Sequence, residues 1–164
     1  MIRSAYLSPD GRYRYTLRRD WDSLFPRMLW VMLNPSTADD KQDDPTLRRC
    51  IAFAEHWGYG GISVVNLFAL RSTNPRLLWK AEDPIGPECD RWIEFESASA
   101  CRVLIAWGSL RRQCSARARA VVEILYRHHA TLHSLGATVD GDPRHPLYTQ
   151  ARTIVRPHMA RLAT

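Results

Sequence analysis

Three short apolar runs and a fourth, less apolar segment, each separated from the next by a longer stretch, constrain the fold of this chain most strongly. Continuous apolar runs of this length are typical of strands that are buried on both faces. The longer segments predict helices over 45–57, 88–100 and 110–128, and strands that alternate with helices predict a parallel sheet covered on both faces. The apolar runs occupy residues 28–33, 61–65 and 102–107, and the fourth predicted strand occupies residues 131–135.

The first 20 residues predict a β-hairpin in front of this sheet. The Pro-Asp-Gly sequence at 9–11 has turn composition and lies between two strand-like segments. In the second segment Tyr13, Tyr15 and Leu17 alternate with polar residues, which predicts one apolar face and one basic face.

The expected fold is therefore α/β: a three-layer αβα sandwich with a central, mainly parallel four-stranded sheet, plus the N-terminal hairpin. A length of 164 residues suits one domain, in which residues 149–164 form a C-terminal tail.

Charge and composition narrow the classes of partner. The chain has 23 Lys and Arg against 17 Asp and Glu, a net charge of +6, which favours an anionic partner such as DNA or a nucleotide. Nearly all of these cations are arginines, a bias that a GC-rich genome explains equally well. No apolar run approaches the ~18 residues of a membrane span, and no signal peptide is evident, so we expect a cytoplasmic protein without a membrane partner.

The four cysteines form no C-x-x-C pair, so the sequence predicts free thiols and no zinc site. The aspartates between residues 39 and 44 lack the glycine and terminal glutamate of a calcium loop. We expect Asp44 to cap a helix that begins with Pro45 and the other aspartates to be solvated. No metal and no cofactor are predicted.

Polar side chains follow the ends of all four predicted parallel strands. Ligands of open parallel sheets bind beyond the carboxyl ends of the strands, so these side chains are candidates for one site. The third strand is expected to turn directly into a helix, whose N-terminus favours an anion. The candidates are Asn34, Pro35, Ser36, Asn66, Phe68, Arg71, Gly108, Ser109, Arg144 and His145.

Each candidate also has a structural interpretation. Asn34 could form a turn before proline, Phe68 could belong to the core, and His145 could be a structural histidine. Arg111 and Arg112 could lie on a solvated helix face. Asn66 is harder to explain structurally, because a buried amide needs hydrogen-bond partners and no turn residue is adjacent.

Several of these segments resemble a known family. The stretches MLNPSTADD, DDPTLRRC, GYGGISVVNLFALRSTNP and GDPRHPLY are similar to the bacterial DUF1643 proteins, over nearly the whole chain to about Tyr148. The family label implies no established function.

The order of the motifs also resembles the uracil-DNA glycosylase superfamily. Asn34-Pro35-Ser36 is similar to its water-positioning motif, Asn66 to the asparagine that reads the base, and His145-Pro146 to its late histidine motif. The segment VLIAWGS resembles the end of its third strand. Two departures are visible: the first motif lacks both glycines, and Leu147 replaces the serine that follows His-Pro.

This second resemblance implies a DNA glycosylase-like hydrolase that cleaves the N-glycosidic bond of a nucleobase. Asn34 would orient water, His145 would donate a hydrogen bond to the departing base, and Phe68 would stack on the base read by Asn66. Pro35, Ser36, Arg71, Gly108 and Ser109 would complete the substrate pocket, and Arg111, Arg112 and Arg144 would hold phosphates.

Two other functions stay open. One is a non-catalytic nucleotide- or nucleic-acid-binding module, and the other is an enzyme that acts on free nucleotides. The sequence does not specify the oligomeric state.

Overall fold

The computed structural model describes residues 1–159 as one mixed α/β arrangement. Three α-helices and three short 3-10 helices, Pro75–Lys80, Arg112–Cys114 and Pro146–Tyr148, are interleaved with seven strands. The helices are α1 (Pro45–His56), α2 (Cys89–Ser99) and α3 (Ser115–Tyr126). The strands are β1 (Ile2–Leu7), β2 (Arg14–Asp20), β3 (Arg27–Met32), β4 (Gly61–Asn66), β5 (Arg102–Ile105), β6 (His133–Ser134) and β7 (Arg156–Pro157).

All seven strands belong to one sheet, in the order β1-β2-β4-β3-β5-β6-β7. The central strands β4, β3, β5 and β6 are parallel, as predicted. The expected count of four strands is wrong, because β2 of the hairpin pairs antiparallel with β4, and β7 pairs antiparallel with β6. Both additions satisfy backbone N–H and C=O groups that the edges of a parallel sheet would leave unpaired.

The central strands are apolar on both faces, and each face has its own core. Leu29 and Val31 of β3 pack in a cluster that also contains buried residues of α2 and α3. Met28 and Trp30 pack on the opposite face with α1. Period-two alternation sends successive side chains to opposite faces, so a continuous apolar run supplies both cores.

The hairpin departs from the predicted alternation at Tyr15. Tyr6 pairs with Thr16, but Leu7 pairs with Arg14, so Tyr15 is an extra, bulged residue. Tyr15 packs in the α2/α3 core, whereas Leu17 packs in the α1 core, so these residues do not share the face that the sequence predicts. A bulge re-aims the side chains beside it, and here Arg14 lines the same cavity as Leu17.

The polar loop before α1 is anchored by a buried arginine of β2. Arg19 is fully buried, forms an ion pair with Asp43 at 2.7 Å, and donates to the peptide oxygen of Asp39. The expectation that Asp43 is merely solvated is therefore wrong. Asp44 is the N-cap of α1, as predicted, since its carboxylate accepts from Leu47 N at 2.7 Å.

The third parallel strand does not turn directly into a helix. Gly108 and Ser109 are followed by a 3-10 turn, and α3 begins only at Ser115. The peptide N–H of Leu110 donates instead to Asp142 at 2.8 Å, which draws the chain toward the loop after β6. The prediction of an anion-binding helix N-terminus at Ser109 is therefore wrong.

The last part of the chain contains more structure than expected. β6 is shorter than its predicted run, and β7 lies within the predicted tail. Residues 160–164 of that tail lie outside the described residues.

Candidate functional site

A cavity of about 640 Å³ lies at the carboxyl ends of the central strands. Its walls come from the end of β3 and the loop after it, the first turns of α1, the end of β4, the turn after β5 and the loop after β6. Of the residues predicted from the sequence, seven line this cavity: Asn34, Ser36, Asn66, Gly108, Ser109, Arg144 and His145.

Asn34 joins the first two strand ends. Its Nδ2 donates to the peptide oxygen of Ser72 at 2.8 Å and to that of Pro35 at 3.1 Å, which holds the segment after β4 against the end of β3. Among the described residues, its Oδ1 receives no hydrogen bond. That oxygen is therefore an acceptor for a water molecule or a ligand hydroxyl.

Asn66 is the last residue of β4 and is only 2% exposed. Its Nδ2 has no hydrogen-bond partner within the described part of the chain. A buried amide N–H group without a partner is costly, so Asn66 is suited to a ligand that offers a carbonyl oxygen or a ring nitrogen.

His145 lies at the start of the 3-10 helix Pro146–Tyr148, and a hydrogen bond from the backbone of that helix orients its ring. Its Nδ1 accepts from Leu147 N at 3.3 Å, so a neutral ring carries its proton on Nε2. Burial lowers the pKa of His145 below its usual value, and the charge of Asp44 offsets part of that effect. At neutral pH the imidazole is therefore an uncharged donor.

Gly108 lies close to His145 and allows the turn after β5 to pack against the histidine loop. The residue has a φ of +77°, and a Cβ built on it would lie 3.3 Å from the Cβ of His145. Its N–H donates to the peptide oxygen of Pro143 at 2.9 Å, which ties the turn after β5 to the histidine loop. Only glycine combines this backbone conformation with so close an approach.

Two charged residues that line the cavity, Asp44 and Arg14, were not predicted from the sequence to belong to the site. Asp44 lines the cavity in addition to capping α1, and its charge raises the pKa of His145. Asp44 lies in the loop that joins the carboxyl end of β3 to α1, and ligands of parallel sheets bind beside such loops. That position could have identified Asp44 as a candidate site residue.

Arg14 also lines the cavity and is only 4% exposed. Burial is the main cause that lowers its pKa to about 10. The regular alternation of the hairpin hid this residue, because a bulge leaves no reliable signal in a single sequence.

Five of the predicted site residues do not line the cavity. Phe68 is buried in the α2/α3 core, where it meets the Trp79 ring edge-on, so it is not placed to stack on a ligand. Arg71 donates to the peptide oxygen of Gly11 and so supports the hairpin turn. Pro35 is buried and contributes its peptide oxygen to Ser72 N at 2.9 Å.

The predicted phosphate-binding arginines separate into two groups. Arg144 lines the cavity, and its Nε donates to the peptide oxygen of Ala137 at 2.9 Å. Arg111 and Arg112 are exposed and lie outside the cavity, with the Arg111 guanidinium 5.8 Å from the centre of the Trp79 ring.

Within residues 1–159, no three His, Cys, Asp or Glu side chains are grouped so that they could hold a metal ion. None of the described helices combines the length and the apolar character that crossing a membrane requires.

No curated protein and no solved structure matches the chain. A family model described as a protein of unknown function, DUF1643, matches residues 14–147, from β2 into the last 3-10 helix. The cavity-lining residues Arg14, Asn34, Asp44, Asn66 and His145 all fall within that match. The match spans more than half of the sequence, so the chain belongs to the DUF1643 family.

Proposed function

We propose that this protein is a DNA glycosylase-like hydrolase that cleaves the N-glycosidic bond of a nucleobase held in the cavity. The observation that carries the proposal is the convergence of Asn34, Asn66, Asp44 and His145 on one cavity. These are an acceptor, an amide donor, a carboxylate and a neutral imidazole donor, and this reaction needs each of them.

In the proposed reaction, water attacks the anomeric carbon and the bond between that carbon and the base nitrogen breaks. The electron pair of that bond leaves with the base, and the sugar passes through a cationic, oxocarbenium-like state. The Asn34 Oδ1 orients the water, and the Asp44 carboxylate opposes the sugar cation and accepts the proton of the water.

In the proposed reaction, His145 and Asn66 donate hydrogen bonds to the leaving base. The His145 Nε2–H donates to the charge that develops on the base, and this donor acts most strongly in the transition state. The Asn66 Nδ2 donates to an acceptor on the base edge. The exposed Tyr148, which lines the cavity, takes the stacking position that the sequence assigned to Phe68.

The test is the release of free base by the purified protein. Substrates are single- and double-stranded oligonucleotides that carry uracil, mismatched or bulky modified bases, together with free nucleosides and nucleotides, and chromatography measures the product. Asp44→Asn is the sharpest variant, because asparagine retains the helix cap while removing the charge.

We expect Asp44→Asn and His145→Ala each to lower the rate by about 10²–10³, as loss of a preorganised polar group does in other enzymes. Arg119→Met, on an exposed position of α3, is the matched control and should keep the wild-type rate. If no substrate releases base although ligands bind, the hydrolase proposal is wrong.

A non-catalytic nucleotide-binding module is the second candidate, and one observation favours it. Met32 and Ser36 stand where the glycosylase-like motif has its two glycines, and both residues line the cavity close to Asn34. If this candidate is correct, His145→Ala will change the Kd of a nucleotide while no base is released by either protein.

A further inference from the structure

Two arginines of β2 are buried, but only one has a counter-charge. Arg19 forms an ion pair with Asp43 at 2.7 Å. Arg14 donates to the peptide oxygen of Ala38, its Nε has no partner, and no carboxylate of the described residues lies within 4.0 Å of its guanidinium. A buried charge is normally paired, so Arg14 requires an explanation.

The surroundings of Arg14 carry charges of both signs. Burial lowers the pKa of Arg14 most, the charges of Asp44 and Asp39 raise it, and those of Arg71 and Arg19 lower it. The charge of Arg19 is neutralised by Asp43, but Arg71 forms no ion pair within the described part of the chain, and its Nε is also buried without a partner. An anion that reaches the Arg14 guanidinium from the cavity would supply the counter-charge that no described carboxylate provides within ion-pair distance.

Three buried groups of the cavity walls are donors that have no hydrogen-bond partner among the described residues. They are the Nε of Arg14, the Nδ2 of Asn66 and the indole Nε1 of Trp107, and the three side chains are 4%, 2% and 6% exposed. Three buried donors with no acceptor among the described residues indicate a ligand that is rich in acceptor oxygens.

We propose that the Arg14 wall is an anion subsite that binds the terminal phosphate of a free nucleotide. The hydrolase would then resemble a DNA glycosylase in its chemistry, but its substrate class would be nucleoside 5′-monophosphates rather than DNA. The nucleobase half of this assignment rests on the proposed function, whereas the anion subsite rests on Arg14 itself. A phosphodiester within a strand must leave room for chain on both sides. A terminal phosphate is an end group and fits a buried guanidinium.

The exposed arginines divide over the DNA alternative. Of the three arginines predicted to hold a DNA backbone, Arg111 and Arg112 lie outside the cavity, whereas Arg144 lines it. The cavity volume of about 640 Å³ lies within the range of sites that enclose a whole small ligand.

The first experiment uses the wild-type protein and titration calorimetry. The probes are dUMP and the four common deoxynucleoside 5′-monophosphates, the matching nucleosides, and short oligonucleotides that contain the same bases. We expect at least one monophosphate to bind about tenfold or more tightly than both its nucleoside and an oligonucleotide containing its base, since a phosphate gains charge-assisted hydrogen bonds from Arg14. Equal affinity for nucleoside and monophosphate, or tighter binding of the oligonucleotide, would overturn the proposal.

The second experiment assigns the preference to Arg14. Arg14→Met should remove most of the preference for the monophosphate over the nucleoside, and Arg14→Lys should retain part of it, because lysine keeps the charge but not the planar fork. Arg119→Met is the matched control, and circular dichroism verifies that each variant is folded. If both Arg14 variants are folded and keep the wild-type preference, the phosphate is bound elsewhere and the assignment is wrong.

The two proposals fail in different ways. A phosphate preference that depends on Arg14, without release of base, supports the anion subsite and contradicts the hydrolase. Release of base from nucleosides or oligonucleotides, without a phosphate preference, supports the hydrolase and contradicts the anion subsite.

Discussion

Gly108 and His145 are in direct contact, because a Cβ on Gly108 would lie only 3.3 Å from the Cβ of His145. The turn after β5 and the loop after β6 therefore approach each other so closely that a methyl group on Gly108 would push against His145. This contact, together with the hydrogen bond from Leu147 N, determines where the imidazole lies in the cavity.

The first prediction concerns Gly108→Ala. The φ of +77° should cost about 1–3 kcal/mol of stability, and the added methyl group should displace His145 and reduce ligand binding. Gly58→Ala is a matched control, because Gly58 has a φ of +79° and nothing within 4 Å of its built Cβ. Chemical denaturation and ligand titration should show that both variants lose stability and that only Gly108→Ala loses binding. Equal binding losses would contradict the contact.

The second prediction concerns the pH dependence of stability. Burial lowers the pKa of His145, so the unfolded state binds its proton more readily than the folded state does. The associated stability is fully present above about pH 6.5, the ordinary histidine value, and is lost as the pH falls through the lowered pKa. His145→Asn should reduce this loss of stability in urea denaturation curves. The curves are measured between about pH 7.5 and about pH 5.5, roughly one unit on either side of the ordinary histidine value. His133 and His158 have pKa values lowered in the same direction, so some slope should remain. An unchanged slope in the variant would contradict the burial of His145.

The third prediction separates two ion pairs. Asp43→Asn leaves the fully buried Arg19 without a counter-charge, so we expect a loss of about 3 kcal/mol or more in the free energy of unfolding. Glu88→Gln breaks the ion pair with Arg91, whose side chain is 82% exposed, and should cost less than about 1 kcal/mol. Thermal and denaturant unfolding of both variants test the difference. Similar losses would mean that Arg19 is not buried as described.

The fourth prediction concerns the aromatic residue that contacts the ligand. Tyr148 lines the cavity and is 84% exposed, so Tyr148→Ala should leave stability nearly unchanged and weaken ligand binding by about 1–3 kcal/mol. Phe68 is buried in the core, so Phe68→Ala should cost about 3–5 kcal/mol of stability. Denaturation and ligand titration of both variants make the comparison. A binding loss in a folded Phe68→Ala variant, together with unchanged binding in Tyr148→Ala, would restore the assignment made from the sequence.

The centre of the fold follows directly from the amino-acid sequence. Apolar runs at the positions of β3, β4 and β5 require burial on both faces, so they predict parallel strands and two cores. The same reasoning placed Asn34, Asn66 and His145 at strand ends, because the carboxyl ends of parallel strands lie at one edge of a sheet. Their position in one cavity follows from that topology, whereas their roles stay predictions.

Which charged side chains enter the cavity depends on long-range packing and could not be predicted from the sequence. One bulged residue, Tyr15, changes the face on which Arg14 lies, and neither composition nor periodicity reveals a bulge. Phe68 and Arg71 follow a strand end as closely as Asn66 does, yet their side chains turn to the core and to the hairpin. Local sequence fixes where a strand ends, but the direction of a side chain beyond that end depends on contacts with segments that are distant along the chain.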